Sequence, residues 1–231
     1  MQFSDLTIGY GQKVIATGLN AELRRGRLTC LVGRNGVGKS TLLRTLAGFQ
    51  PPLSPESNAT APLLKPTESV AVVLTGRPDV HMMTVRDVVA LGRVPYTNIW
   101  GTLRDEDNSI VDDSIRTVGI EALAARRFDT LSDGECQKVM ISKALAQQAD
   151  IILLDEPTAF LDYPSKADIM LLLKRMASDT GKAILLSTHD MEMARRLADE
   201  IWLMTSSHQL LTGTPQALEP ELRREHLVID F

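Results

Sequence analysis

The chain has 231 residues, of which 44% are hydrophobic and 23% charged, and a formal net charge of -4. That composition belongs to a globular protein with enough chain to bury a sizeable core, and its acidic balance excludes the basic footprint of a nucleic-acid binder. Two cysteines, Cys30 and Cys136, exclude a disulfide framework, no window approaches the ~20 apolar residues of a membrane span, and the N-terminus does not read as a signal peptide.

In chain order, residues 1–30 read as short strands with turns. Leu6, Ile8 and Tyr10 alternate with Thr7 and Gly9, and Gly9 to Gly11 supplies a turn. An apolar run at 28–32 ends at Gly33 and predicts a buried strand, with Cys30 as a small core residue. A helix is expected over 39–46, closed by Gly48. Five prolines within 51–69 predict loop. Residues 70–74 predict a second buried strand, and 84–128 a mainly helical stretch broken at Gly92, Pro95 and Gly101. From there helices over 133–148, 164–179 and 190–198 alternate with strands over 151–154, 183–187 and 201–204. That alternation predicts an α/β fold with a mainly parallel sheet. The helix-rich segment 76–130 is expected as an inserted subdomain between 1–75 and 131–231.

Residues 33–41 read GRNGVGKST. Gly33, four residues, then Gly38, Lys39 and Ser40 is P-loop spacing. Glycines let several backbone N–H groups converge on one phosphate chain, and the helix that follows turns its positive end toward it. The candidate nucleotide contacts are therefore Gly33, Arg34, Asn35, Gly36, Val37, Gly38, Lys39, Ser40 and Thr41. Lys39 adds charge for the outer phosphates, and the Ser40 hydroxyl suits Mg²⁺. The competing reading, a glycine-rich turn without a ligand, leaves the strand, lysine and serine unexplained. Residues 151–156 read IILLDE, two acids at the C-terminal end of an apolar strand. Asp155 is the candidate metal carboxylate, and Glu156 the candidate that orients or deprotonates water. By itself the pair is equally an acidic helix start before Pro157.

Residues 131–135, LSDGE, resemble the LSGGQ signature of ABC ATPases, and 136–162 continues close to that family's run from signature to D-loop. The resemblance covers roughly residues 3–214. It implies a P-loop ATPase fold with an N-terminal antiparallel β subdomain, with ATP and Mg²⁺ as ligands. It makes Tyr10 the aromatic that stacks on adenine, Asp162 the D-loop acid, and His189 the switch histidine at the γ-phosphate. It also implies that Ser132, Asp133, Gly134 and Glu135 complete the nucleotide site of a second copy, giving a homodimer with two identical composite sites. The partners would be transmembrane permease subunits and, indirectly, a substrate-binding protein, at the cytoplasmic side of the membrane. Independently of the family, Ser132 and Glu135 spell a capping box at a helix start.

Two positions depart from the family. Asp133 and Glu135 replace the first glycine and the glutamine of the signature, so nearby cations are needed, with Arg126, Arg127 and Lys138 as candidates. Thr75 stands where the Q-loop glutamine is expected, and reaches a metal only through water. Among the remaining residues, Arg195 and Arg196 read as a solvated helix face. His81, His208 and His226 have no clustered partners, so they give no metal site. Met82 and Met83 suit either a docking surface or ordinary packing.

The segment 83–96, MTVRDVVALGRVPY, resembles the ATPases of importers for iron–siderophore complexes, haem and vitamin B12. Other readings are a non-transport ABC ATPase such as an iron–sulfur assembly scaffold, a P-loop GTPase or kinase, and a module that binds nucleotide but barely hydrolyses it. The absence of an Asn-Lys-x-Asp run speaks against the GTPase.

Overall fold

The computed structural model describes residues 1–53, 70–80 and 82–228. Most of the loop expected over 51–69, and His81, lie outside these.

Strands β1 (Gln2–Tyr10) and β2 (Lys13–Glu22) form an antiparallel pair. They are longer than the short strands expected. Register shifts follow Phe3, Leu6 and Ile8, and these irregularities break the alternation. Leu6 and Ile8 are buried as their period demands, yet Tyr10 is turned out to 46% exposure.

Among the described residues the main sheet has six strands: β3 (Leu28–Gly33), β4 (Val70–Val73), β5 (Ile151–Leu154), β6 (Ala183–Ser187), β7 (Glu200–Met204) and β8 (Leu210–Gly213). Their spatial order is β4-β5-β6-β3-β7-β8. The first five run parallel, and β8 returns antiparallel to β7. The expected α/β class with a mainly parallel sheet is therefore present. The edge strand β8 lay outside the sequence expectations.

Both faces of the sheet are covered, which is why its strands read as unbroken apolar runs. Leu28, Cys30, Val32, Ile152, Leu154, Ile184 and Leu186 point into one core layer, filled by helices. Leu31, Leu153, Leu185 and Trp202 point into the other, against β1, β2 and α1 (Lys39–Leu46). Parallel strands capped on both faces leave one functional edge, the line of their C-terminal ends.

The segment after β4 carries α2 (Val85–Ala90), a 3₁₀ turn (Leu91–Tyr96) and α3 (Asp105–Val118). Both helices pack against α4 (Asp133–Ala146), which lies beyond residue 130. The GR.PY run of that segment, Gly92, Arg93, Pro95 and Tyr96, joins these parts. A Cβ on Gly92 would meet the Lys143 carbonyl oxygen at 2.3 Å. Arg93, 4% exposed, donates to Asp107 Oδ1 at 2.9 Å, the Ala146 carbonyl at 2.9 Å and Gln148 Oε1 at 3.0 Å. The guanidinium also lies 4.1 Å from the centre of the Tyr96 ring, whose hydroxyl donates to the Gln147 carbonyl. Gln147 in turn donates to the Val70 carbonyl at 3.1 Å, so α4 is pinned to the start of β4.

A hydrogen bond from the Arg104 backbone holds the Asp107 carboxyl below its ordinary value, with Arg93 adding to the effect. Removing Arg93 strands a buried carboxylate. Arg93→Met is expected to cost about 3–5 kcal/mol, read as a lowered midpoint in urea unfolding.

Candidate functional site

The P-loop leaves β3 at Gly33 and enters α1 at Lys39. Two of its glycines are required by both conformation and space. Gly33 has φ 149°, and a Cβ there would meet the Met204 carbonyl oxygen at 2.4 Å. Gly38, the helix N-cap, has φ 114°, and its Cβ would lie 2.8 Å from Ile15. Lys39 is buried, and its Nζ donates to the carbonyls of Gly33 at 2.8 Å and Arg34 at 3.0 Å. Burial pushes its ammonium below the ordinary lysine value, while Glu156 and Asp155 pull it back. The His208 ring bonds the Val37 carbonyl at 3.1 Å and braces the loop from the β7–β8 turn.

Asp155 and Glu156 follow β5 directly. Strand β6 lies between β5 and β3, so its last residue faces both acids. That residue is Ser187, fully buried. Its hydroxyl donates to Asp155 Oδ1 at 2.7 Å and accepts from the Glu156 N–H at 2.9 Å. Ser40 Oγ from α1 meets the same Oδ1 at 3.3 Å. Glu156 has φ 47°, a left-handed conformation that is costly for a residue with a side chain. The Ser187 bond secures that turn. His189, two residues on, places Nε2 2.6 Å from Glu156 Oε1.

Thus Lys39, Ser40, Asp155, Glu156 and His189 converge at one edge, with Ser187 as a residue that the sequence reading missed. Serine in LLSTHD carries no local signal of this contact; only the strand order reveals it. Thr75 also reaches the site, donating its hydroxyl to the Asp155 backbone carbonyl at 2.7 Å. Tyr10 stands beside the P-loop, its phenol oxygen accepting from Thr41 Oγ1 at 3.1 Å, with its ring exposed.

The signature sits at the start of a different helix, α4. Ser132 caps α4, and its N–H and hydroxyl bond Glu135 Oε2 at 2.8 and 2.9 Å. Arg126 Nη1 meets the other oxygen, Oε1, at 3.2 Å. Glu135 is thereby absorbed by the capping box and one arginine, while Arg127 is taken by Asp129. Asp133 lines a cleft of about 410 Å³, shared with Arg77, Gln137, Glu156 and Phe160. A Cβ on Gly134 would make only ordinary contact with Ser165, at 3.6 Å, so packing within the chain does not require glycine there. Asp162 caps α5 (Tyr163–Thr180), accepting from the Ser165 N–H at 3.1 Å.

The family model described as ABC transporter matches residues 16–159. The chain belongs to the ABC transporter family. It is 40% identical to an uncharacterized ABC transporter ATP-binding protein of Methanocaldococcus jannaschii, over 94% of this chain and 77% of that protein. It is 33% identical to the iron(3+)-hydroxamate import ATP-binding protein of Bacillus subtilis, over 97% and 86%. With the ferric enterobactin transport ATP-binding protein of Escherichia coli the identity is 32%, over 92% and 81%. Among solved structures, cbiO1 of Clostridium perfringens superposes with a TM-score of 0.81 at 28% identity, over 99% of this chain and 94% of that one. ATP-binding subunits of this family are ATPases, and the expected family and fold are both borne out.

Hydrogen bonds from Ser132, joined by the nearby Arg126 charge, hold the Glu135 carboxyl below the usual glutamate value. A group with a lowered folded-state value stabilises at neutral pH and loses that contribution as pH falls through it. Glu135→Ala is expected to cost about 1 kcal/mol at pH 7, the usual net worth of a hydrogen bond, here the one Glu135 returns to the Ser132 N–H. The gap from wild type should shrink as unfolding is repeated below the unfolded glutamate value of about 4.5.

Proposed function

We propose that the chain is the ATP-hydrolysing subunit of an importer for iron–siderophore-type chelates, with haem and cobalamin as the neighbouring cargo classes. The observation that carries the catalytic half is the convergence of Lys39, Ser40, Asp155, Glu156 and His189 on one sheet edge. The cargo class rests on relatives named for iron–hydroxamate and ferric enterobactin transport. None of those two is named for iron–sulfur assembly, and nothing in the site favours a non-transport ATPase.

In this reading the triphosphate lies along Gly33–Thr41, with the N–H groups of the loop and the Lys39 ammonium on its oxygens. Adenine stacks on the exposed Tyr10 ring. Among the described residues no cluster of three His, Cys, Asp or Glu side chains forms a metal cage. That fits Mg²⁺, which takes one or two protein oxygens plus phosphates and water. Ser40 Oγ and Asp155 Oδ1, 3.3 Å apart, are the hard-oxygen pair for it, with Thr75 at one remove. Bound there, the ion supplies charge neutralisation on the phosphates. Glu156 takes the proton of the attacking water. The new O–P bond forms at the γ-phosphorus as the bridging bond to ADP breaks, and inorganic phosphate leaves. His189 holds Glu156 in orientation through their 2.6 Å contact and reaches the γ-phosphate.

The signature belongs to the site of a second copy. Ser132–Glu135 opens α4 whereas the cradle opens α1, Gly134 has room for a side chain, and a closely approaching phosphate chain explains why none is there. Arg126 neutralises one of the two carboxylates in the first turn of α4, and Asp133, the other, shares its cleft with Arg77. Phe160, 73% exposed, shares the Asp133 cleft, and Asp162 holds the N–H of Ser165, the residue beside Gly134; both suit pairing of two copies. No helix among the described residues is long and apolar enough to cross a membrane. Permease subunits would then supply the transmembrane path, with this chain on their cytoplasmic side and a substrate-binding protein delivering cargo.

Glu156→Gln is expected to bind ATP but turn over at least ~100-fold more slowly, as loss of a general base requires. Near wild-type turnover in a phosphate-release assay would remove Glu156 from its role. Lys39→Ala is expected to weaken ATP binding itself; unchanged affinity by equilibrium dialysis would refute the cradle.

A further inference from the structure

The segment that leaves β4 runs from the acids of β5 to the signature. At its start Thr75 bonds the Asp155 carbonyl. Two residues later, Arg77 spans two carbonyls of the loop that leads into the signature. Its Nη1 donates to Leu131 at 3.1 Å and its Nη2 to Phe128 at 2.8 Å. Leu131 immediately precedes the N-cap Ser132. The guanidinium also lies 5.6 Å from the centre of the Phe128 ring, which is fully buried and anchors that loop.

The same loop is then stitched backbone to backbone onto the later part of the segment. Phe128 N–H donates to Met83 at 2.9 Å, Val85 N–H to Arg126 at 2.9 Å, and Arg86 N–H to Ala124 at 3.0 Å. Thr84 and Arg127 form an antiparallel bridge. Arg126, held in this ladder by its carbonyl, is the residue whose side chain neutralises Glu135. The ladder and the Arg77 fork together fix where the α4 N-terminus points.

Resting on the pairing proposed above, we infer that Arg77 is a positioning residue for the signature. Its forked guanidinium ties the position of residues 131–135 to the position of Asp155 in the same chain. The signature serves the second copy, so Arg77 acts on the partner's nucleotide site and leaves its own cradle alone. A planar fork with donors set for two acceptors suits this bridging; a lysine is a point charge on a flexible stem and cannot span both carbonyls in one geometry.

The test separates binding from pairing. In a Glu156→Gln background, ATP affinity is measured at a protein concentration where the chain is monomeric, and Mg-ATP-dependent dimerisation by light scattering across a dilution series. Arg77→Met is expected to bind ATP within twofold of the parent yet need about tenfold more protein to dimerise, the loss expected of hydrogen bonds from a charged donor. Arg77→Lys is expected between the two, and carries the test if the methionine variant does not fold. Dimerisation equal to the parent's in both variants would overturn the inference. So would a fall in monomer ATP affinity that matches the loss of dimer, because that is general damage. A parent that stays monomeric with Mg-ATP overturns the pairing itself, and the inference with it.

Discussion

The Ser187 hydroxyl is the joint on which the site depends. It donates to the Asp155 carboxylate and accepts from the Glu156 backbone, and it can do both only because β6 lies between β5 and β3. The parallel order of the sheet puts the P-loop, the two acids and His189 on adjoining strand ends. Ser187 then converts adjacency into fixed geometry. It holds one carboxylate toward Ser40 and keeps Glu156 in a left-handed turn that aims the other at His189. Buried without these partners, the hydroxyl would carry a desolvation cost and the turn would lose its support.

Packing below this edge explains its rigidity. The P-loop is pressed by Met204 and Ile15, close enough that a methyl group on Gly33 or Gly38 could not fit. The strand residues alternate between two closed core layers, so the strand ends cannot slide independently. The signature is held by arginines as well. Arg93 locks the 3₁₀ turn to the end of α4, Arg126 neutralises Glu135, and Arg77 grips the loop before Ser132. Apolar packing fixes both parts, since Val85, Phe128, Leu131 and Val139 are buried in the same cluster as the strands, and around the signature forked hydrogen bonds are added to it.

What could be read in the sequence was what is local. The P-loop spacing, the capping box at Ser132 and the apolar strands before Gly33 and Asp155 each carry their physics within a few residues. The expected strand over 183–187 coincides with β6, and the helix over 133–148 overlaps α4 (Asp133–Ala146) closely. Contacts between distant parts were not legible. Neither Ser187 nor Arg77 carries a local signal of the partners it meets. Of the three cations considered near the signature, Arg126 is the one that meets Glu135. Irregular pairing in β1 defeated the expected alternation at Tyr10, and the short half-buried β8 left no periodic trace. The GR.PY run, read as a mark of importer subclass, has a structural reason in addition, a buried arginine joining two parts of the helical layer.

The central claim is that hydrolysis takes place in a site built from two copies of this chain. The most direct measurement is the specific ATPase activity of the wild-type protein over a wide dilution series, with mass followed in parallel. The account predicts activity per chain that rises with concentration and levels off as the dimer fills. Activity per chain that stays constant down to concentrations where only monomer is present would contradict it.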